Sequence, residues 1–418
     1  MADTEPIPDV LVVGSGPAGA MVARDLARSG ARVRILEQGS GPPPGTRLLG
    51  LLRRKEAMHI APGVVLLRSL RVGGGSVTFY HTAARPPLAM FARHGIDLEA
   101  ALQRVLAESP HEPLRDDLLA PIPSLLMQAG RTLGLPWQPL PKMIDQSRCE
   151  SGQCPPEAFW STHPLLQQAV AHGADLRTGV QATRVLFEHG RAIGVEARDQ
   201  GSTRVFRAGR VILSAGGIAS PAILQRSGVE AAGQGFFCDP LRIVMAQAPA
   251  ARQTHDISMS AGYFDTEAGY MLSDITIPAN FFRAFAWAAG RPDQLLGYGH
   301  TAMIMVKIRD DIEGRIDAHG RPWRRFGPGD KQKMRAGVEQ ARAVLKAAGA
   351  RRPYVSPWVA AHPGGSVRLG ELLDDSLCCH SPNLHVCDAS VIPEPWGLPP
   401  TLTLLALGNY LADRLSQH

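Results

Sequence analysis

DVLVVGSGPAGAMVARDLARSGARVRILEQ, from Asp9 to Gln38, is the stretch that decides the fold of this 418-residue chain. Asp9 to Val13 is a short valine-rich run, the pattern of a parallel strand buried on both faces. It breaks into Gly14-Ser15-Gly16-Pro17-Ala18-Gly19, a complete G-x-G-x-x-G. Ala20, Met21, Ala23, Leu26 and Ala27 then recur at helical spacing up to a stop at Gly30, and Val33 to Leu36 is a second strand ending on Glu37. Each glycine has a mechanical reason. Gly14 permits the tight turn, Gly16 lets backbone approach a pyrophosphate, and Gly19 lets the helix pack closely on the sheet, while free amides at the helix start face the phosphates. Glu37 stands near the ~20-residue offset at which an acid accepts hydrogen bonds from a ribose 2′-OH. It would repel a phosphorylated ribose, which argues against NADP. The fingerprint alone leaves FAD and NAD open.

Length and composition set the outer bounds. A chain this long buries large cores and accommodates two structural units, and its composition is that of an ordinary soluble globular protein. The formal net charge of +6 comes from scattered arginines with no long basic run interleaved with aromatics. It reads as solvated surface, not as a nucleic-acid site. The opening MADTEPIPDV lacks the charged start and apolar core of a signal peptide. Apolar stretches such as Val211 to Leu224 are too short or too mixed to span a bilayer. Six cysteines do not make a disulfide framework in a chain this long, which points to a reducing, cytoplasmic compartment. Cys149 and Cys154 do not form a C-x-x-C pair, and two thiols cannot close a zinc site. Both are expected to be free or packing cysteines, with no metal.

In chain order, Gly39 to Gly45 (GSGPPPG) is a Pro/Gly loop leaving the ribose site. Val64 to Leu70 leads into a second glycine cluster, Gly73-Gly74-Gly75-Ser76, where backbone comes close to something flat or charged unless it is simply a flexible loop. Leu98 to Leu106 and Leu118 to Leu133 read as helices, the second interrupted by Pro121 and Pro123. A helix from His163 to Ala171 leads to a strand at Asp175 to Val180, then to a strand pair turning at His189-Gly190. Arg210 to Ser214 returns to the sheet and ends in SAGGIASPAILQRSGV, again strand, glycine turn and helix start. From about Phe236 to Pro357 the pattern changes. VMAQAPA and TAMIMVKIRD alternate like strands with one buried face, Phe281, Phe282, Phe285 and Trp287 cluster, and Met334 to Ala348 is an amphipathic helix closed by Gly349. The aromatic cluster is core by default, with an apolar pocket or a partner surface as alternatives. Near the end, AAHPGGSVRLG puts His362 beside a Pro-Gly-Gly turn. Leu384 to Cys387 is a strand carrying Asp388 at its carboxyl end, and Thr401 to Leu415 is a helix with Pro400 at its start.

With these segments in view, the chain resembles the glucose–methanol–choline (GMC) family of FAD-dependent oxidoreductases. The resemblance rests on the first fingerprint, GGGS at Gly73 to Ser76, SAGGIASPAILQRSG at Ser214 to Gly228, and HPGGSVRLG with DASVIP near the end, all in family order. It selects FAD over NAD. It implies an α/β fold, with a Rossmann-like FAD-binding unit from residues 1–90, 165–235 and 380–418. A second, α+β substrate unit on an antiparallel sheet comes from residues 91–164 and 236–379. By the resemblance, Gly14, Gly16 and Gly19, with Pro17 and Ala18 between them, hold the pyrophosphate, and Glu37 with Gln38 the adenosine ribose. Gly74, Gly75 and Ser76 line the flavin through their backbone, and Val180 passes over the adenine. Asp388, with Ala389, touches the ribityl–pyrophosphate region, and the helix start at Ala215 and Gly216 presents amides to the ligand. The last helix, opening at Pro400 and Thr401, aims its dipole at the flavin pyrimidine edge.

The family's chemistry is oxidation of an alcohol, by a dehydrogenase or an oxidase: a base takes the hydroxyl proton while hydride passes from carbon to flavin N5. His362 resembles the family's active-site histidine, a residue type that titrates in the right range. There is one departure. Members usually place a histidine or asparagine just before the final helix, and here Pro399 stands there, with Leu398 and Pro400 equally mute. Tyr80 and His81 are candidate substitutes. The departure keeps open an atypical chemistry on the same fold, a lyase or isomerase, or a flavin-holding electron-transfer subunit. The chain is also short for the family, which suggests a pocket more open than usual or closed by self-association or an electron-accepting partner. The aromatic cluster favours an apolar or aromatic alcohol over a sugar as the small-molecule substrate.

Overall fold

The computed structural model describes residues 6–39, 58–61, 64–150, 153–249, 252, 257–379 and 381–417, with backbone alone at 58–61 and 67. Beyond Gly39 the GSGPPPG loop lies outside the described residues, as does the start of the chain up to residue 5. β1 (Val10–Val13) runs through the middle of a five-stranded parallel sheet. The order across it is Leu384–Val386, Arg210–Leu213, β1, β2 (Val33–Glu37) and Asp175–Thr178. β1 and β2 are buried along their whole length, as inner strands of a sheet covered on both faces must be. α1 (Pro17–Arg28) packs against the helix His163–Ala171 and the final helix Thr401–Ser416. The final helix comes closest at Gly408, where a Cβ would stand 2.7 Å from the Ala18 carbonyl oxygen and 2.9 Å from Met21 Cβ.

The run expected as one strand from Asp175 to Val180 divides at Gly179, whose φ of +75° turns the chain. Asp175–Thr178 stays in the parallel sheet, while Val180–Glu188 opens a three-stranded antiparallel sheet with Arg191–Asp199 and Ser202–Arg207. His189 (φ +48°) and Gly190 (φ +75°) form the hairpin turn, both central residues left-handed as a type I′ turn requires.

The second large sheet has nine strands, and its middle is antiparallel: Pro240–Gln247 pairs Thr301–Ile308, which pairs Tyr270–Asp274. Met58–Ala61 and Val64–Leu67 join this sheet, because Val359–Ala360 offers Val64–Leu67 a parallel edge. The helix Pro328–Ala347 covers one face through Met334, Ala341, Val344 and Leu345. The opposite face, carrying Ile243, Met245, Met303 and Met305, packs on Phe282 of the helix Ala279–Ala288. Thr301–Ile308 is therefore buried on both faces, not on one as its sequence suggested.

Three other expectations change. Pro121 and Pro123 do not interrupt a helix: the helix begins at Pro121, where no amide hydrogen is needed, and Asp116–Leu118 is a separate 3-10 turn. The Met334 helix starts six residues earlier, at Pro328, because the Gly327 amide donates to Asp330 Oδ2 (3.3 Å) and caps it there. Cys149 and Cys154, expected free, form a disulfide. Glu150 and Gln153 exchange backbone hydrogen bonds of 3.0 and 2.9 Å, which turns the chain back and brings the two Cα atoms to 4.3 Å. The cysteine count thus stops arguing for a reducing compartment. Among the described residues no helix is long and apolar enough to cross a membrane, and no group of three or more His, Cys, Asp or Glu is placed to hold a metal ion.

Candidate active site

The carboxyl ends of the parallel strands open onto one continuous cavity of about 1300 Å³, which runs on to the inner face of the nine-stranded sheet. At the first end, Gly14 takes φ +104° and lies so close to the neighbouring strand that a Cβ would stand 2.3 Å from the Ser214 carbonyl oxygen. Gly19 serves packing: its Cβ would stand 2.2 Å from the Gly14 carbonyl oxygen, and the residue lies behind the cavity wall. Gly16, Gly75 and Gly216 behave differently. A Cβ on any of them would meet no protein atom within 4 Å, and all three border the cavity. The volume that side chains would have filled is left to a ligand, beside an α1 N-terminus that has no side-chain cap. Such a cradle, with backbone donors toward phosphates and a glycine-lined wall, fits FAD.

Glu37 sits at the end of β2 with three protein hydrogen bonds. Its Oε2 accepts from the Ser15 amide (3.0 Å) and hydroxyl (2.6 Å), and its Oε1 from the Gly39 amide (2.6 Å). A carboxylate offers about four lone-pair directions, and the described residues take three of them. Ser15 Oγ also accepts from the Gly73 amide (3.0 Å), and Gly74 approaches Gly16 so closely that a Cβ on it would stand 3.0 Å from Gly16 Cα. One serine hydroxyl thus fastens the first glycine loop to the second, a link the sequence reading missed.

Pro17, Ala18, Gln38, Gly74, Val180, Ala215, Ala389, Pro400 and Thr401 also border the cavity. Ser76 does not: its hydroxyl bonds Gly73 O and Thr162 Oγ1 in the core behind the wall. Asp388 borders the cavity, yet Oδ2 accepts from the Gly216 amide (2.8 Å) and Ser220 Oγ (2.5 Å), and Oδ1 from the Ser390 amide (2.8 Å). It therefore fixes the glycine turn, and burial pushes its carboxyl up from the usual range. Of the two candidate substitutes for the missing side chain, Tyr80 faces the cavity. His81 packs between Phe79 and Phe159 off its wall, where burial and the Lys142 charge pull its imidazole down to about 3.

At the far end His362 borders the cavity beside Pro399, with 23 % of its side chain accessible. Its Nδ1 lies 2.9 Å from Asp239 Oδ2, and Asp239 Oδ1 accepts from the Gly397 amide (2.8 Å). Asp239 is fully buried at a left-handed φ of +47°. Burial lowers the His362 pKa from its ordinary value, the bond to Asp239 opposes this, and the nearby Lys307 charge adds to it. In the neutral ring, Nδ1 donates to this carboxylate and Nε2 carries the lone pair. Sequence reasoning found His362 and missed Asp239 and Lys307. A lysine inside the apolar run TAMIMVKI was the one available signal.

The aromatic cluster divides. Phe282 is core, Phe281 and Phe285 border the cavity, and Trp287 is 70 % exposed. Around this end Leu241, Ile243, Ile277 and Met305 complete an apolar wall.

Comparison with known proteins places this architecture. Residues 111–242 and 315–408 match the family described as GMC oxidoreductase, and residues 8–65 match an FAD binding domain. An uncharacterised GMC-type oxidoreductase of Mycobacterium tuberculosis is 28% identical over 97% of this chain and 75% of its own length. A long-chain-alcohol oxidase of Arabidopsis thaliana is 22% identical over 98% of this chain and 68% of its own. Among solved structures, pyridoxine 4-oxidase from Mesorbium loti superposes with a TM-score of 0.77 at 17% identity, covering 98% of this chain and 99% of that one. Glycine cradle, paired histidine and family matches agree: the chain belongs to the GMC oxidoreductase family and is an FAD-dependent oxidoreductase acting on CH–OH donors.

Proposed function

We propose that this protein oxidises an apolar primary or secondary alcohol to the aldehyde or ketone, with His362 as the base. The observation that carries the reading is the 2.9 Å Nδ1–Asp239 contact. It fixes the tautomer and leaves Nε2 without a protein partner among the described residues, on a ring that borders the cavity. The cofactor is held by the Gly14–Gly19 loop, Glu37, the Gly74-Gly75 backbone and the start of the final helix. Bound there, the flavin supplies the hydride acceptor. His362 Nε2 takes the hydroxyl proton: the substrate O–H bond breaks, the Nε2–H bond forms, and Asp239 stabilises the resulting imidazolium. The Thr401–Ser416 helix directs its positive end at the cavity, where it favours added negative charge. Leu241, Ile243, Ile277, Phe281, Phe285 and Met305 exclude water and select an apolar substrate. The long-chain-alcohol oxidases among the relatives support that class.

Pro399 favours a second reading, a non-oxidative reaction on the same fold, because no side chain there shares the substrate oxygen. An anaerobic titration of the FAD-loaded protein with 1-octanol, benzyl alcohol and glucose separates the two. Bleaching of the flavin by an apolar alcohol with one equivalent of carbonyl product supports alcohol oxidation, and His362→Gln should slow it about 10²–10⁴-fold while FAD stays bound. A flavin that no alcohol reduces, or a His362→Gln variant that reduces at the wild-type rate, refutes it.

A further inference from the structure

Lys307 is buried to 1 % exposure in the strand Thr301–Ile308, in register with Leu241, two residues beyond Asp239. Its parity is that of Met303 and Met305, so it points to the cavity side of the sheet. Its Nζ has no hydrogen-bond partner among the described residues. The nearest carboxylate atom is Asp239 Oδ2 at 3.9 Å, the same oxygen that faces His362 Nδ1. The other fully buried lysine of the substrate side, Lys142, is a useful contrast. Its ammonium bonds the carbonyls of Tyr80, Ser258 and Met259, which suffices for a structural role. Lys307 has no such cage, and a buried ammonium without one costs several kcal/mol unless a counter-charge offsets it.

We propose that Lys307 is a positioning residue, the counter-charge of the Asp239–His362 pair, and that its ammonium adds to burial in opposing protonation of the His362 ring. The inference rests on the reading of His362 as the base. With Lys307 present, the resting triad of ammonium, carboxylate and neutral imidazole carries no net charge. Without it, the carboxylate 2.9 Å from Nδ1 would favour the imidazolium with no neighbouring cation to oppose it, and less of the ring would be free to take a proton from a hydroxyl. Asp239 and Lys307 are the charges that act on His362. One layer back, Asp310 faces Asp239 and lies 3.1 Å from Arg324, which also pairs Asp330 at 3.2 Å. The buried Cys238 thiol donates to Asp310 Oδ2 at 3.6 Å. None of these replaces Lys307. Burial pulls the Lys307 ammonium down from its ordinary range while Asp239 holds it up.

The test is the titration of His362 in FAD-loaded protein, followed by ¹⁵N-histidine NMR and assigned by difference against His362→Gln. The reasoning requires Lys307→Met to raise the His362 midpoint by about one pH unit or more, Asp239→Asn to lower it, and Lys307→Arg to leave it near wild type. Purely structural damage would not move two neighbours in opposite directions. Should Lys307→Met fail to fold around its unpaired carboxylate, Asp239→Asn/Lys307→Met isolates no charge, and its midpoint must lie above that of Asp239→Asn alone. Equal midpoints in either comparison overturn the proposal. The acid limb of flavin reduction, read with the alcohol that bleaches the wild type, should move with the midpoint. If His362→Gln reduces its flavin at the wild-type rate, the fault lies in the assignment of the base, and the proposal falls with it.

Discussion

A single methyl group, built against the backbone of the turn that follows His362, should disable that histidine. Gly217, in the first turn of the helix Gly216–Arg226, lies against the turn that follows His362. A Cβ there would stand 2.0 Å from the Pro363 carbonyl oxygen, 2.5 Å from its carbon and 3.0 Å from the Gly364 amide nitrogen. Ordinary contact begins at 3.4 Å, so one element must give way by more than 1 Å. The obstruction is backbone, which has no rotamer to change. The turn cannot retreat freely either, because Gly364 is pressed on its other side by Phe237 Cζ (2.4 Å from a built Cβ) and the Ala389 carbonyl oxygen (2.6 Å). Ser366 Oγ also bonds Gly217 O at 2.7 Å and ties turn to helix. Gly217→Ala should cost about 1–3 kcal/mol in overpacking. A displacement of about 1 Å at a reacting group costs on the order of 10²-fold in rate. Stability is read by urea unfolding, flavin reduction by anaerobic stopped flow, and FAD retention by absorbance after gel filtration. Gly299→Ala, exposed and with nothing within 4 Å of its Cβ, is the control and should change neither quantity. Wild-type stability and wild-type flavin reduction in Gly217→Ala would refute the coupling of this helix to the base.

Further outcomes follow from individual contacts. Ser15→Ala removes the hydroxyl shared by Glu37 and the buried Gly73 amide, so stability should fall by about 1–3 kcal/mol, and FAD should dissociate faster in a dilution assay. Asp310, buried mainly at a desolvation cost, has its pKa raised to about 7 from an unfolded 3.8. The folded state therefore holds the extra proton between those values, and this contribution to stability is full below about pH 4 and lost as pH rises through 7. Relative to wild type, Asp310→Asn should gain about 2 kcal/mol between pH 5 and pH 8 in urea unfolding, and a pH-independent difference would contradict this. Iodoacetamide added to denatured, unreduced protein should label Cys238, Cys378, Cys379 and Cys387 and spare Cys149 and Cys154 until a reductant is added. The short loop that this disulfide closes limits its contribution to about 2 kcal/mol, measured as the stability lost in Cys149→Ser/Cys154→Ser.

The sequence by itself determined the nucleotide half of this protein. Asp9 to Gln38 could be read because each of its signals is local: a doubly buried strand shows as an unbroken apolar run, a glycine turn as G-x-G-x-x-G, and a helix as a 3.6-residue period. His362 was singled out by the family resemblance of its segment, HPGGSVRLG. What gives that histidine its chemistry was not legible. Asp239 and Lys307 are 68 residues apart in the chain, and 123 and 55 residues from His362. They meet His362 only because Pro240–Gln247 pairs antiparallel with Thr301–Ile308 in one register, and register is a property of the assembled sheet. Ser15 shows the same limit at shorter range. The x of a G-x-G motif carries no pattern, yet the fold makes its hydroxyl the joint between two glycine loops. Cys149 and Cys154 differ again: their spacing excluded a zinc site, but only the backbone pairing of Glu150 with Gln153 brought the sulfurs together. Local pattern chose the elements, and the family resemblance chose the cofactor. Long-range packing chose which charges surround His362, because electrostatic neighbours are set by distance in space and not along the chain.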